Sequence, residues 1–398
     1  MRLKQLLEES AVRFYRGAQR ILPAGYAPPP LFYVILVPYR CNLHCRFCYQ
    51  RLIELPLSDT LLEKDRVRDF LGQIPRYAAV TYSGGEPFSH PDFPAVLDAT
   101  AKSHRTMFTT NGVLLDDSKQ ERLVDLGADG LGKRGLNVLG ISMLESGKGE
   151  PFDNVFEEKI RLLESVQKKK RQHSKAFPIL SLKVTIRNEN VRYLDRFLGL
   201  LQQGLCDEIV LQLHTHFLFD YLRPGGGDSF FNELPPRPHG DDILIEDAEL
   251  LKRQLDLLLS SPERKKGLVS FFPEIGRNEI LSYYTQSELR DTYYCALPWL
   301  AFVIDPSGRA VQCRNPNAED LSSQSIRRAR NCDNFQAFRR AVMNADLAET
   351  CTGCCFLRKR IFQKVGSAIR QQMIALFFKI ESVRRDPEEN LLTFDVVG

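Results

Sequence analysis

Six strand-like segments alternate with helix-like segments between residues 31 and 259, and this alternation constrains the fold more than any other feature. The first strand, Leu31–Val37, is a continuous apolar run, which is typical of a parallel strand buried on both faces. Further strands are predicted at 78–82, 106–110, 136–143, 179–186 and 208–213. Helices are predicted at 61–73, 93–101, 118–126, 154–170, 191–203 and 246–259. The series predicts an α/β fold, a partial (β/α)6 TIM-type barrel with its active site at the C-terminal strand ends.

The pattern beyond the repeats predicts further segments. Glycine and proline crowd the stretch 223–240, so the barrel core is expected to end near residue 245. A helix with apolar positions from Phe362 to Ile380 is expected to pack on the protein body, and membrane-surface binding is the alternative. We therefore divide the chain into an N-terminal helical extension (1–30), the barrel core (31–245), a connecting helical segment (246–290), a small cysteine-rich α+β module (291–360) and a C-terminal helix and tail (361–398).

Composition excludes several classes of protein. A net charge of +4, from 54 basic and 50 acidic residues, is too balanced to indicate a nucleic-acid partner. Charges interrupt the first twenty residues, so neither a signal peptide nor a transmembrane segment is expected, and the protein is expected to be cytoplasmic. Ten cysteines in that reducing compartment indicate metal binding rather than disulfides.

Three of the cysteines, Cys41, Cys45 and Cys48, directly follow the first strand. Thiolates bind iron–sulfur clusters one per iron, so three cysteines on a four-iron cluster leave one iron able to take an outside ligand. The alternative is a structural zinc site, which needs a fourth close ligand, and His44 lies inside the loop rather than beyond it. The spacing therefore predicts a cluster with an open position.

This motif resembles the CxxxCxΦC signature of the radical SAM superfamily, with Phe47 as the aromatic residue before the last cysteine. The resemblance implies that S-adenosylmethionine (SAM) binds the open iron of a [4Fe–4S] cluster and that Phe47 lies beside the adenine. It further implies that an electron from the reduced cluster cleaves SAM, and that the resulting 5′-deoxyadenosyl radical abstracts a hydrogen atom from the substrate.

A second motif, Gly84-Gly85-Glu86, follows the second strand and looks like the GGE motif of that superfamily. The two glycines allow a close backbone approach to the amino group of SAM, and the Glu86 carboxylate or the local carbonyls can accept its hydrogen bonds. The same three residues also occur in ordinary turns. Their place one strand after the cysteine loop favours the functional interpretation.

Other polar residues follow later strands. By the same resemblance, Thr110 and Asn111 face the ligand together with the adjacent Thr109 and Gly112, although strand-end turn chemistry is an alternative. Ser142 is expected near the ribose, and Arg187 near the SAM carboxylate or bound to a helix or loop. The two candidates for substrate contact, which are equally compatible with packing, are His214 and His216.

A second cysteine group lies near the C-terminus. Phe302–Ile304 and Arg309–Val311 flank a turn with Gly308, which predicts a hairpin that brings Cys295 toward Cys313. This element resembles the opening of the SPASM and twitch extensions of radical SAM enzymes. The resemblance implies one auxiliary [4Fe–4S] cluster, whose expected ligands are Cys295, Cys313, Cys351 and Cys354.

Alternatives remain for this module. A zinc ribbon has similar cysteine spacing. Cys355 competes with Cys354 as the fourth ligand, Cys332 is a further candidate ligand, and Cys206 is expected to be a packed or free thiol. Four protein ligands would saturate the auxiliary cluster, so its expected role is electron transfer.

The expected protein is thus a radical SAM enzyme that uses a flavodoxin- or ferredoxin-type electron donor. Its expected substrate is a small molecule such as a carbohydrate or cyclitol, because the first thirty residues are too few for a winged-helix domain that recognises leader peptides. Crosslinking or epimerisation of a ribosomally made peptide is the alternative reaction. A hypothesis of another class is a non-catalytic binding protein stabilised by two zinc sites.

Overall fold

The structure is a computed structural model. It describes residues 22–45, 47–48, 60–143, 152–214, 243–286, 293–313, 315, 317–345, 347, 351, 354, 357–359, 380–385 and 392–396.

A ten-stranded sheet forms the centre of the described structure, with the strand order β11-β10-β9-β1-β2-β3-β4-β5-β6-β7. Its strands are β1 Phe32–Leu36, β2 Ala79–Ser83, β3 Arg105–Thr110, β4 Gly135–Ser142, β5 Ile179–Thr185, β6 Glu208–Gln212, β7 Val269–Phe272, β9 Ala301–Ile304, β10 Arg309–Val311 and β11 Glu319–Asp320. The smaller sheets pair β8 Tyr293–Cys295 with β12 Leu357–Lys359, and β13 Ile380–Arg385 with β14 Leu392–Val396.

Helices connect the parallel strands in the predicted order. They are α1 Lys64–Gln73, α2 Phe93–Ser103, α3 Asp117–Asp125, α4 Phe152–Gln172, α5 Leu194–Gln202, α6 Ala248–Ser260, α7 Pro262–Lys265, α8 Arg277–Gln286, α9 Leu297–Leu300, α10 Ile326–Ala329 and α11 Asp333–Asn344. The predicted α/β architecture is confirmed. Within the described residues no strand pairing joins β7 to β11, so the sheet is open there.

The apolar pattern explains why these segments form a sheet covered by helices. In β5, Leu180, Leu182 and Val184 are fully buried. On the long helix α4, apolar side chains recur with helical spacing, and Phe156, Leu163 and Val166 enter the core. Burial of such side chains stabilises the fold by roughly 1.5–3 kcal/mol for each large apolar residue. The core therefore fixes the strand ends that carry the polar motifs.

Two features differ from the sequence prediction. The segment 246–290, expected to be helical, also contributes β7, which pairs in parallel with β6 and extends the sheet by one strand. At the opposite side, β9 pairs in parallel with β1, with Phe32 opposite Ala301, so the predicted hairpin continues the sheet of the barrel core. The cysteine loop after β1 therefore lies between the β2 turn and the hairpin of the C-terminal module.

The predicted C-terminal helix can be compared with the structure at its last residue. The expected helix from Phe362 lies outside the described residues, except for Ile380, which begins strand β13 rather than ending a helix. None of the described helices combines the length and the apolar character that crossing a membrane requires.

Candidate active site

Strand β1 leads directly into the loop that carries the three N-terminal cysteines. The Cys45 side chain is buried, while Cys41 and Cys48 are half-buried. The backbone N–H of Cys48 donates to the carbonyl of Cys45 over 3.1 Å, which turns the chain between these two residues. The loop thus folds back on itself at the carboxyl end of the sheet, where an α/β barrel places its active site.

The sulfur of Cys41 lies in a polar environment suited to a thiolate ligand. It accepts hydrogen bonds from the backbone N–H of Leu43 at 3.4 Å and from Nδ2 of Asn111 at 3.8 Å. Burial raises the pKa of the Cys41 thiol, and these two donors act in the opposite direction. N–H donors to ligating sulfur are a usual means of tuning iron–sulfur clusters, so this donor set fits such a cluster.

Single metal ions require a different arrangement of ligands. A zinc ion binds each thiolate at about 2.3 Å from one point, whereas the cysteines of a cluster bind separate irons. In the part of the chain that the structure describes, no three His, Cys, Asp or Glu side chains converge on a point where one ion could bind.

The Gly-Gly-Glu turn after β2 packs against the start of the cysteine loop. The backbone N–H of Gly85 donates to the carbonyl of Pro38 at 2.8 Å, and that of Glu86 donates to the carbonyl of Arg40 at 3.0 Å. A Cβ atom at Gly84 would lie 2.3 Å from the Pro38 oxygen, and one at Gly85 would lie 2.0 Å from the Arg40 oxygen. The two glycines are therefore required for contact between the two loops, a role that the sequence did not reveal.

The Glu86 carboxylate faces β3 and is almost fully buried. Its Oε1 accepts hydrogen bonds from the Thr110 hydroxyl at 2.7 Å and from the Phe88 N–H at 3.2 Å, and its Oε2 accepts one from the Asn111 N–H at 2.7 Å. Burial raises the pKa of Glu86, while these donors and the nearby Lys159 favour its ionised form. Glu86 thus joins the ends of β2 and β3.

The Asn111 side chain continues this network toward the cysteine loop. Its Nδ2 donates to Oδ1 of Asn42 at 2.8 Å as well as to Cys41, and its Oδ1 accepts from the Val113 N–H at 2.9 Å. The predicted pair Thr110 and Asn111 therefore contacts both the Gly-Gly-Glu turn and the cysteine loop. These residues therefore form the turn at the end of the strand and also contact the candidate site, so both alternatives expected from the sequence apply.

Lys159 also contacts the candidate site, although it was not predicted from the sequence. It projects from α4, is buried, and its Nζ donates to the Asn111 carbonyl. Burial lowers the pKa of Lys159, and the neighbouring Glu158, Glu86 and Cys45 act in the opposite direction. The sequence feature that could have indicated this role is the position of Lys159 on the apolar side of an amphipathic helix.

Phe47 lies between two other candidate residues. The Arg187 guanidinium carbon is 4.1 Å from the centroid of the Phe47 ring, which is cation–π geometry. His214 meets the same ring edge-on, at 5.7 Å between centroids and 88° between planes. Arg187 also binds Glu189, at 3.0 Å between Nη2 and Oε1. Two residues that the sequence assigned separately, Arg187 and His214, therefore meet at Phe47, whereas His216 lies outside the described residues.

Ser142 ends β4, where it is half-buried and paired in register with Lys183 of β5. Gly140, two residues earlier, lies close to Thr109, because a Cβ atom there would be 2.7 Å from the Thr109 hydroxyl oxygen. Both positions belong to the same carboxyl edge of the sheet as Thr110.

Backbone pairing connects the segments that carry three of the C-terminal cysteines. Cys295 in β8 pairs with Leu357 in β12. The Leu357 N–H donates to the carbonyl of Cys354 at 3.1 Å, and the Cys354 N–H donates to the carbonyl of Cys351 at 3.0 Å. The segment with Cys351 and Cys354 is thereby held beside Cys295. Cys355 lies outside the described residues.

Cys313 follows the second strand of the predicted hairpin, which the structure confirms. Its φ angle is +28°, a backbone conformation that is uncommon for residues other than glycine and that concentrates at functional sites. The hairpin turn is held by Asp305, which accepts hydrogen bonds from the backbone N–H groups of Ser307 and Arg309 and from the Arg309 guanidinium.

The remaining two cysteines have other surroundings. Cys332 precedes α11, where its sulfur interacts with the Phe335 N–H and the Glu319 side chain, and burial raises its pKa to about 12. Cys206 is buried in the core, and burial together with Asp207 and Glu208 raises its pKa to about 12.

Part of the chain that carries this site is similar to known proteins. Residues 35–143 match the model of the radical SAM superfamily. Fe-coproporphyrin III synthase of Methanosarcina barkeri is 25% identical over 223 residues, which cover 55% of this chain and 48% of that protein. PqqA peptide cyclase of Granulibacter bethesdensis is 32% identical over 108 residues, which cover 25% of this chain and 28% of that protein. The chain thus spans about half of one curated relative and about a quarter of the other.

A solved structure shares the fold. Streptococcus suis SuiB bound to precursor peptide SuiA superposes with a TM-score of 0.56 at 14% identity, over 86% of this chain and 75% of the SuiB chain. Because the cysteine loop, the Gly-Gly-Glu turn and Asn111 all lie within the matched residues 35–143, the comparison and the geometry agree. Residues 35–143 of this chain therefore form a radical SAM domain.

Proposed function

We propose that this protein is an enzyme that reductively cleaves SAM at a [4Fe–4S] cluster held by Cys41, Cys45 and Cys48. The observation that carries the proposal is the continuous network from the Cys41 sulfur through the Asn111 side chain and backbone to the Glu86 carboxylate. This network supports the cysteine loop with donors to sulfur and leaves the carboxyl edge of the sheet lined by polar groups.

The protein residues bind and orient in this scheme. The Glu86 carboxylate already accepts hydrogen bonds from Thr110 and Asn111 at the end of β3. We therefore assign the backbone carbonyls of the Gly84–Glu86 turn as the acceptors for the SAM amino group. Phe47 is assigned to the adenine and Ser142 to the ribose. When bound, the cluster and SAM supply the electron and the 5′-deoxyadenosyl radical that abstracts a substrate hydrogen atom.

Of the two roles expected for Arg187, contact with the SAM carboxylate or with a helix or loop, we assign the second. Its guanidinium lies over Phe47 and binds Glu189. We therefore assign it to holding the aromatic residue of the cysteine loop rather than to the SAM carboxylate.

The C-terminal cysteines are the second part of the proposal. We assign Cys295, Cys313, Cys351 and Cys354 to one auxiliary [4Fe–4S] cluster. The pairing of Cys295 with Leu357 and the backbone hydrogen bonds from Leu357 to Cys354 and from Cys354 to Cys351 support this assignment. Four thiolates saturate a cluster, so it would transfer electrons rather than bind substrate.

Iron content tests the ligand assignments. Anaerobically purified and reconstituted protein should contain about eight irons per chain, four for each cluster. Cys351→Ala with Cys354→Ala should halve the iron and retain some cleavage of SAM to 5′-deoxyadenosine. Cys41→Ala should abolish that cleavage, while the control Cys206→Ala should leave iron and cleavage intact. Zinc without iron in the wild-type protein would refute the proposal.

Two substrate classes have support. A peptide is favoured by the likeness to PqqA peptide cyclase and by the fold shared with SuiB, whose structure holds a peptide. A small molecule is favoured by the likeness to Fe-coproporphyrin III synthase over twice as many residues, and carbohydrates or cyclitols belong to the same class by size.

A fractionation experiment separates the two classes. Size-separated extract from the source cells would be added to the reduced enzyme with SAM, and formation of 5′-deoxyadenosine would be measured. If the stimulating fraction loses its effect after protease treatment, the substrate is a peptide. If the effect survives protease and passes a membrane that retains peptides, the substrate is a small molecule.

A further inference from the structure

Arg187 and His214 both contact Phe47, and one buried hydroxyl group binds the backbone of both chain segments. The Tyr284 hydroxyl accepts a hydrogen bond from the His214 backbone N–H at 3.0 Å and donates one to the Ile186 carbonyl at 2.9 Å. Ile186 directly precedes Arg187 in the chain. One side chain of α8 therefore ties together the two chain segments whose side chains contact Phe47.

The neighbouring residue on α8 holds the other side of His214. The Tyr283 hydroxyl donates to the His214 carbonyl, so the backbone N–H and C=O of His214 are bound by adjacent tyrosines. The two tyrosine rings meet edge-on, with centroids 5.1 Å apart, and both are almost completely buried. Because His214 lies just past the end of β6, these hydroxyls supply the partners that a strand ladder no longer provides.

A purely structural explanation covers only part of this arrangement. Buried backbone groups need hydrogen-bond partners, and the tyrosines satisfy that need. However, the His214 ring is also directed at Phe47, in the cysteine loop of a different chain segment. Any shift of the His214 backbone is therefore passed on to the ring that we assign to the adenine.

We propose that Tyr283 and Tyr284 are positioning residues that set the location of Phe47 through His214 and Arg187. The inference rests on the proposed function, because it requires SAM to bind beside Phe47. It assigns a specific function to α8, a helix outside the motifs that the sequence singled out.

The test compares Tyr284→Phe with a matched control. Thr100→Val also removes one buried hydroxyl and its two hydrogen bonds, with the Tyr82 hydroxyl at 2.6 Å and the Val96 carbonyl at 2.8 Å, but does so in α2. With reconstituted protein, Tyr284→Phe should raise the KM for SAM about three- to tenfold, because it removes the hydroxyl that binds both the His214 N–H and the Ile186 carbonyl. The kcat of SAM cleavage and the iron content should stay near wild type, and Thr100→Val should leave the KM unchanged.

Spectroscopy supplies a readout that general loss of stability would not change. Addition of SAM to the reduced cluster should alter its electron paramagnetic resonance spectrum, and half-conversion should need about three- to tenfold more SAM in Tyr284→Phe than in Thr100→Val. Equal SAM requirements in the two variants would overturn the positioning role. If Tyr284→Phe does not fold, Tyr283→Phe is measured in the same way, with the same prediction.

If the wild-type protein holds no iron and cleaves no SAM, the proposed function itself fails, an outcome that differs from all of the above.

Discussion

The backbone N–H of Asn111 donates to Oε2 of Glu86 over 2.7 Å, and this contact joins the ends of β3 and β2 beneath the cysteine loop. Both residues also contact other parts of the site, Glu86 through Thr110 and Asn111 through Cys41. The Glu86 carboxylate is therefore the centre of the network, and its own three partners, Thr110, Phe88 and Asn111, are all hydrogen-bond donors.

Glu86→Gln is predicted to destabilise the protein. The amide –NH₂ of glutamine cannot accept a hydrogen bond, so at least one of the three donors that face Glu86 loses its acceptor in a buried site. The expected loss in unfolding free energy is about 1–3 kcal/mol, measured by chemical denaturation of the apo protein. The control is Glu63→Gln, an exposed residue before α1 with no capping hydrogen bond from its side chain. Similar losses in the two variants would contradict the network.

Alanine substitution should be harmful at Gly85 and favourable at Gly72. Gly85→Ala places a methyl group 2.0 Å from the Arg40 carbonyl oxygen, so the turn and the cysteine loop must separate. We expect severe loss of iron after reconstitution. Gly72→Ala, in helix α1 with nothing within 4 Å of the new Cβ, should instead stabilise the protein by roughly 0.5–1 kcal/mol. Full iron retention in Gly85→Ala would show that the two loops do not need this contact.

The local patterns of the sequence predicted most of the sheet, because the six strands of the repeats are apolar runs separated by amphipathic helices. The β7 strand, Val269–Phe272, escaped prediction because four residues between helices carry too little periodicity. The pairing of β9 with β1 was also missed. Its two strands are separated by most of the chain, and no local pattern specifies a partner at that distance.

The residues of the candidate site show the same contrast between those that local sequence patterns predicted and those that depend on tertiary contacts. Motif residues such as Cys41, Gly85 and Glu86 were identified because their chemistry is concentrated in short segments. Lys159 and Tyr284 were not, because their contribution depends on which side chains the fold places opposite them. A buried lysine or tyrosine on a helix has no functional meaning until its tertiary partners are known.

Lys159→Met is predicted to make the N-terminal cluster harder to reduce. Reduction adds negative charge, and the buried ammonium group near Cys45 and Glu86 favours that added charge. The midpoint potential, from a redox titration followed by electron paramagnetic resonance, should therefore become more negative. Lys168→Met, an exposed lysine on the same helix, is the control. An unchanged or more positive potential in Lys159→Met would contradict this electrostatic role.

Stability should depend on pH through His104, a buried residue far from the cysteine motifs in the chain. Its Nε2 lies 3.2 Å from the Ile74 carbonyl oxygen and its Nδ1 lies 2.8 Å from the Ser103 hydroxyl oxygen, which suits a neutral ring that donates from Nε2 and accepts at Nδ1. Burial lowers the pKa of His104 below the model-peptide value of 6.5. As the pH falls below that value, the unfolded chain binds a proton that the folded protein resists. The unfolding free energy of the apo protein should therefore decrease from about pH 7.5 to about pH 5.5, and the decrease should be smaller in His104→Gln, whose side chain does not titrate. Chemical denaturation of both proteins at the two pH values measures the difference, and parallel pH profiles would show that His104 does not contribute.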